Sequence, residues 1–563
     1  MGPGRQGPWG IATRMVRLSS AGLALAGAVL ALLFCGGLLA YGAGRGIDLT
    51  DEIFYLVWAR DPEAYALLYQ PFGYLLHPLY ALLGGDIAHY RLAGFAITAA
   101  AGVLLGRQLA PEPARRLAFA VFGAAAALVI YFPWIVTPSY NSAANVGAML
   151  VLAGVATLLR TEGAPARLTA ALAIACGLCA AAFAKPPLFA LGSVLVVALA
   201  TWSFRGNRGR SIALLGAMAL TMLLIALFLP LSRVPGLLAR IAASQHILAL
   251  PNTPLRLPIK VLGDGAAVPP LLTAAALAAI GALALRRTRW GGWLGHGAIA
   301  FGLIYLASTV PDTLDGGIPE FPGLALLLIA MAYAALVARR DGLLLALLLV
   351  APFAVALGTF NNQWAQLDFS MVFPLLALFR LAADDPLPWR RTAATLVAIA
   401  APPLLLLAAA MAPYSLPDSI FAQAIAVRHP LTGSALLVDE ETADFLNGAR
   451  GKATGALLVD LSGTGPGVAA ALGAKAPVLL WLNPATATWP DVVWSRLTEQ
   501  ARRRAWFIAP VLPLFAPSAP ARWFTAHRAS YCRTPLPRMT FWWEARSLAL
   551  WRPCPASRAH PQG

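Results

Sequence analysis

Apolar runs of roughly 18 residues or more recur along the chain from Leu18 to Ala412, each long enough to cross about 30 Å of hydrocarbon as a helix. Alanine and leucine dominate these runs and β-branched residues are few. That favours helices over closed strands, which would show short alternating segments. Arginine clusters interrupt the runs within residues 5–17, 107–116, 160–167, 205–210, 286–289, 339–340 and 380–391. Positive charge stays on the cytoplasmic side of a bilayer, so two crossings fit between each consecutive pair of clusters. With a last helix over residues 392–412, the rhythm predicts about 13 crossings, a cytoplasmic N-terminus and a C-terminal segment on the opposite side. The first run, residues 18–39, is too long for the apolar core of a signal peptide and lacks a clear small-residue cleavage site. It reads as a retained helix.

The connections assigned to the outer side are richer in acids and polar groups. The first, residues 43–90, holds Asp48, Asp51, Glu52, Asp61, Glu63 and Asp86. The second reads Thr137-Pro138-Ser139-Tyr140-Asn141 and the third is a tight turn at Lys185-Pro186-Pro187. The fourth, residues 233–269, carries Arg233, Arg240, His246, Arg256, Lys260 and Asp264; the fifth carries Asp312, Asp315 and Glu320. The sixth runs from Asn361 to Asp368. An aspartate buried in hydrocarbon is costly, so Asp368 reads as a candidate acid lining a cavity.

Beyond residue 413 charge returns and the apolar runs shorten. Residues 435–439, 456–461 and 477–482 read as buried strands, and 440–449, 467–472 and 491–504 as helices. The alternation predicts a small α/β domain over residues 414–563 with a largely parallel sheet. Residues 1–413 form the transmembrane domain. The run from Asp460 to Gly467 superficially resembles a dinucleotide-binding turn, but its glycine spacing is wrong; a tight turn before a helix is the plainer reading.

Composition agrees with the patterning. Of 563 residues, 59% are hydrophobic and 12% charged, and mean hydropathy is +0.69. A soluble protein would carry about a quarter charged residues. The net charge of +17 follows the topology of the basic clusters, and nucleic acid is not an expected partner. Rich Ala, Arg, Gly and Pro usage fits a GC-rich bacterial genome and hence an inner (plasma) membrane. Cys176 and Cys179 have the spacing of a redox pair, but in an alanine-rich helix they read as small packing residues. Cys532 and Cys554 lie in the outer domain, where a disulfide persists if formed. His77 and His246 lack metal-ligand spacing.

The candidate chemistry sits in the first loop. Asp51 and Glu52 follow the first helix, and the apolar-aromatic run from Ile53 to Ala59 reads as a helix lying along the membrane surface. That would hold a carboxylate beside the bilayer, where a lipid-borne phosphate sits. Downstream come Gln70-Pro71-Phe72-Gly73-Tyr74, Leu82-Leu83-Gly84 and Tyr90-Arg91-Leu92. With Asp51, Glu52, Tyr55, Ala59, Pro71, Gly84 and Arg91 in this order, residues 15–205 resemble the GT-C superfamily of polyprenyl-phosphate-sugar-dependent glycosyltransferases. They look most like the branch containing protein O-mannosyltransferases and lipid A aminoarabinose transferases. Ala184-Lys185-Pro186-Pro187 is similar to that family's Lys-Gly-Pro step.

The resemblance implies transfer of a sugar from a polyprenyl-phosphate donor to a glycan, lipid or protein acceptor of the cell envelope. Asp51 aligns with the catalytic acid and would be the base, with Glu52 the fallback or the partner that orients it. Lys185 would sit by the departing phosphate with Arg91 second. Arg233, Arg240, Arg256 and Lys260 would reach the headgroup, and Tyr55, Asn141 and Asp368 would contact substrate. The second outer loop departs from the pattern by holding no carboxylate. Asn141 is a poor sole substitute for a metal-binding acid, so no divalent metal or other cofactor is firmly implied. Two other readings stand beside this one: a lipid or solute transporter or flippase, and a non-catalytic envelope assembly protein.

Overall fold

The computed structural model describes residues 20–63, 71–204, 206–229, 231–239, 242, 257–314, 320–337, 342–358, 361–463, 466–474, 491, 494–510, 518–541 and 544–555. The chain is a polytopic, mainly helical membrane protein. Among the described residues, nine helices are long and apolar enough to cross a bilayer. In chain order the helices begin α1 (Ser20–Gly42), α2 (Asp51–Arg60), α3 (Phe72–Leu82), α4 (Ile87–Leu109), α5 (Arg116–Leu128), α6 (Tyr140–Arg160), α7 (Ala164–Ala184), α8 (Pro186–Phe204) and α9 (Arg208–Phe228). Of these, α2 and α3 are short and belong to the first loop. Arg289–Leu314 and Pro388–Met411 complete the long set; Pro270–Ala284, Pro322–Val337 and Gly342–Ala356 are shorter and equally apolar.

Small residues set the helix spacing. A Cβ on Gly102 of α4 would lie 2.2 Å from the Gly123 carbonyl of α5, so the two backbones touch as in other small-residue membrane seams. Helices α6 and α7 meet the same way: a Cβ on Gly177 would lie 2.6 Å from the Gly147 carbonyl. Gly177 is flanked by Cys176 and Cys179, both free thiols, and the packing reading of that pair fits this seam. Large apolar side chains such as Leu33 of α1 and Leu227 of α9 point outward, the face that lipid would cover.

The chain beyond Met411 carries eight described strands: β1 (Ile425–Arg428), β2 (Ala435–Val438), β3 (Leu458–Asp460), β4 (Trp506–Pro510), β5 (Tyr531–Pro535), β6 (Met539–Phe541), β7 (Glu544–Arg546) and β8 (Leu548–Pro553). The main sheet has the order β3-β4-β8-β5; β3 and β4 run parallel, whereas β8 is antiparallel to both its neighbours. β1 and β2 form a separate hairpin. The expectation of a largely parallel sheet is therefore corrected to a mixed one, because Tyr531 to Pro553 returns as antiparallel strands instead of crossing over through helices. The strand expected at 477–482 lies outside the described residues. Helices stand at Glu440–Ala449 and Pro466–Ala471 as expected, and the long helix expected over 491–504 has its described part at Glu499–Arg504. Cys532 and Cys554 are disulfide-bonded, joining β5 to the end of β8.

One apolar core runs through α1, α4, α5, α6 and the helices Pro322–Val337, Val372–Asp384 and Pro388–Met411. A second core is shared by two distant parts of the chain: Ile53, Tyr55, Trp58 and Phe72 of the first loop pack in it with Val438, Phe445, Val468 and Leu548. This corrects the surface-lying reading of Ile53–Ala59. Every residue from Glu52 to Ala59 is buried, so this stretch of α2 presents no free face to a bilayer.

Candidate functional site

The site is built at the start of α2. Asp48 acts as a cap from three residues before the helix. One of its oxygens accepts from the Thr50 N–H (2.8 Å) and hydroxyl (2.5 Å), and the other from the Glu52 N–H (3.2 Å). Glu52 returns the bond by accepting the Asp48 N–H at 3.1 Å. This reciprocal pairing satisfies orphan donors of the first turn. It also turns Asp51, on the intervening position, out of the cap.

Glu52 and Arg91 form a closed ion pair, with Glu52 3% and Arg91 0% exposed. The Arg91 Nη2 and Nε donate to Glu52 Oε1 at 2.5 and 2.9 Å. The remaining donors go to the carbonyls of Ala43 (2.9 Å), Arg45 (3.0 Å) and Gly46 (2.9 Å), and the Thr137 hydroxyl also donates to Glu52. All five guanidinium protons are spent. The expectation that Arg91 binds a phosphate is corrected here: it is a structural clamp with no donor left for a ligand. Glu52 is likewise spent, which leaves it the orienting part and removes it as a fallback base.

Asp51 differs from both neighbouring acids. Asp48 is 4% exposed, whereas Asp51 is only half-buried and keeps accessible surface. Its carboxylate accepts a hydrogen bond from Tyr414. Burial raises the Asp51 carboxyl to about 6, although the Tyr414 bond opposes the rise. Asp48 is raised too, by burial first and then by the nearby Asp51 charge.

Tyr140, the first residue of α6, links the acid to the cation. It feels the Asp51 charge and hydrogen-bonds Tyr55. Its ring meets that of Tyr55 edge-on at 5.6 Å, and its face lies 5.4 Å from the Lys185 Nζ. Lys185 stands in the turn between α7 and α8 and is 1% exposed. Its ammonium makes one hydrogen bond among the described residues, to the Val355 carbonyl at 2.8 Å. Among the described residues two protons of this buried cation have no acceptor, an arrangement that favours an incoming anion. Beside it, an apolar groove of about 200 Å³ runs between α6, α8 and Gly342–Ala356, lined by Ala181, Leu188, Leu195, Val151, Leu347 and Ala354. Ala181 and Leu188 lie one helical turn to either side of Lys185, and Ala354 precedes the Val355 that accepts its bond, so the groove passes close to Lys185 without being lined by it.

The other expected site residues separate cleanly. Asn141 is buried beside Tyr140, and its side-chain oxygen has no hydrogen-bond partner among the described residues. Asp368 accepts the Gly323 N–H at 2.7 Å and so caps Pro322–Val337. Its expected substrate role gives way to that structural one, because a helix start needs an acceptor. Lys260 pairs with Asp264 and donates to the Asn361 carbonyl at 2.8 Å, and Arg233 pairs with Glu63 at 3.4 Å. Arg256, Arg240 and His246 lie outside the described residues. Among the described residues no three of His, Cys, Asp and Glu converge as a metal set.

Fold and site together define a polytopic helical membrane protein with a half-buried carboxylate and a buried, under-bonded ammonium at the ends of its helices. Comparison with protein-family models, curated proteins and solved structures returns no match.

Proposed function

We propose that the chain is a membrane glycosyltransferase of the GT-C type. It moves a sugar from a polyprenyl-phosphate donor to an envelope glycan, lipid or protein. The observation that carries this reading is Lys185: a buried ammonium with one hydrogen bond among the described residues, close to an apolar groove and 5.4 Å from the ring of Tyr140, which also feels the Asp51 charge. A lipid phosphate satisfies both halves of that arrangement, its anionic head on the ammonium and its chain in the groove.

In this reading Asp51 takes the proton of the acceptor hydroxyl. The acceptor oxygen bonds to the anomeric carbon as the bond from that carbon to the phosphate oxygen breaks. The electron pair leaves with the phosphate, and Lys185 offsets the charge that develops there. A carboxyl near 6 is mostly ionised at neutral pH yet close enough to it to be an effective base.

The topology of the reading adds three short apolar helices and Val372–Asp384 to the nine long ones, about 13 crossings in all. The N-terminus is cytoplasmic and residues 414–563 are a periplasmic domain at a bacterial inner membrane. The Cys532–Cys554 disulfide supports an oxidising compartment for that segment.

The test uses the full chain in lipid nanodiscs and polyprenyl phosphate without sugar as the probe. Lys185→Met should weaken binding by about 10–100-fold, the worth of charge-assisted hydrogen bonds. A panel of labelled polyprenyl-phosphate pentoses and hexoses should then show sugar release by the wild type and none by Asp51→Asn. Undiminished binding by Lys185→Met, or sugar release by Asp51→Asn at the wild-type rate, rejects the reading.

A further inference from the structure

We infer that the segment after Met411 is part of the site itself, with β2 and Gly467 holding residues 43–49 in place and Tyr414 orienting the Asp51 carboxylate. The inference rests on the assignment of Asp51 as base only for its consequence in turnover. The positioning by β2 and Gly467 stands on hydrogen bonds and close contacts alone.

Residues 44–46 meet the edge of the β1–β2 hairpin in a parallel β-bridge. The Gly46 N–H donates to the Leu437 carbonyl at 2.8 Å and the Leu437 N–H to the Gly44 carbonyl at 3.0 Å, with Arg45 and Leu437 in parallel register. The same three residues are also held by Arg91, through the carbonyls of Arg45 and Gly46. The segment is thus bound both by the C-terminal hairpin and by α4. The start of α4 touches the same hairpin, because the Ile87 N–H donates to the Ser434 hydroxyl at 3.4 Å.

Three residues further on, the Gly467 N–H donates to the Leu49 carbonyl at 2.8 Å. The approach is so close that a Cβ on Gly467 would fall 2.1 Å from that oxygen and 2.5 Å from the Leu49 Cα. Both clashes are with backbone, so a side chain there must move Leu49. Leu49 is two residues from Asp51, inside the Asp48–Glu52 cap. Tyr414 is fixed independently, its N–H donating to the Pro133 carbonyl at 3.0 Å, and its hydroxyl hydrogen-bonds the Asp51 carboxylate. The charged or titratable groups around Asp51 are Asp48, the Glu52–Arg91 pair, Tyr140 and Tyr414, and of these Tyr414 bonds it directly.

Two variants of the full chain in nanodiscs test this. Gly467→Ala should raise amide hydrogen exchange across residues 44–52 by at least about tenfold while α4 to α9 keep wild-type protection. Tyr414→Phe should leave exchange unchanged. It should instead raise the pH at which a water-soluble carbodiimide labels Asp51, read by mass spectrometry, by about one unit, because one hydrogen bond to the charged form is lost. Both should lower the maximal rate of sugar release and leave affinity for polyprenyl phosphate alone unchanged. Wild-type exchange in Gly467→Ala, or an unshifted labelling pH in Tyr414→Phe, overturns the inference. Should Asp51→Asn still release sugar, the glycosyltransferase reading fails while the exchange and labelling results continue to decide this one.

Discussion

Replacing Arg91 with methionine separates a structural cation from a ligand-binding one. In the wild type the guanidinium is fully buried and bonded to Glu52 and to the carbonyls of Ala43, Arg45 and Gly46. Methionine keeps most of the volume and removes every donor. Glu52 is then a buried carboxylate without its counter-charge, and breaking such a pair costs about 3–5 kcal/mol. Three carbonyls also lose a partner, at about 0.5–1.5 kcal/mol each where water does not replace it. The loss should exceed about 4 kcal/mol, enough to release residues 43–52 locally. Adding Glu52→Gln should restore part of it, since the stranded charge is gone; the coupling is read from a double-mutant cycle. The assay is denaturant unfolding of the detergent-solubilised chain, followed by pulse proteolysis of the first loop. A loss below about 1 kcal/mol with polyprenyl phosphate affinity reduced tenfold or more would refute the reasoning and make Arg91 a ligand.

Three further outcomes follow from the same geometry. Because the Asp51 carboxyl is raised to about 6, its base form is lost as pH falls through that value, so sugar release should decline on the acid side near pH 6 and not near pH 4; a stopped assay across pH 4.5–8 reads the limb. Thiol titration of the denatured, unreduced chain should give three reactive thiols, from Cys35, Cys176 and Cys179, with Cys532 and Cys554 silent until reductant is added. Asp368→Ala should cost about 1 kcal/mol through the lost cap of Pro322–Val337 and leave affinity for polyprenyl phosphate unchanged.

The membrane helices were legible because their signal is local: length, apolarity and the arginine breaks need no knowledge of distant partners. Asp51 and Lys185 were legible as candidates for the same reason, each standing at a helix end in a short polar stretch; Tyr55, inside the apolar run of α2, came only with the resemblance. What the pattern could not separate is a free cation from a committed one. Arg91 and Lys185 look alike as lone basic residues beside apolar runs, yet Arg91 spends all five guanidinium protons on protein and Lys185 makes one hydrogen bond among the described residues. Glu52 beside Asp51 poses the same difficulty, although the four-residue spacing from Asp48 to Glu52 was an available sign of a reciprocal cap. Tyr140 stood in the second outer loop and was passed over for Asn141. Tyr414 carried no signal at all, since its contact with Asp51 depends on how the chain returns to the first loop. The sheet was misjudged because parallel pairing was inferred from alternation, whereas β5 and β8 are joined across a short antiparallel excursion.

The pairing of Arg45 with Leu437 also sets a clock on biosynthesis. Residues 43–52 are made well before the strand and the glycine that hold them. At about 5–20 residues per second, roughly 20–80 s separate the two. Throughout that interval the acid-bearing loop lacks its frame. A nascent chain, or one truncated before Gly467, can carry every long apolar helix and every acid of the first loop and still lack that frame. The frame closes only when the chain around Leu437 and Gly467 has been made and folds back on residues 44–49.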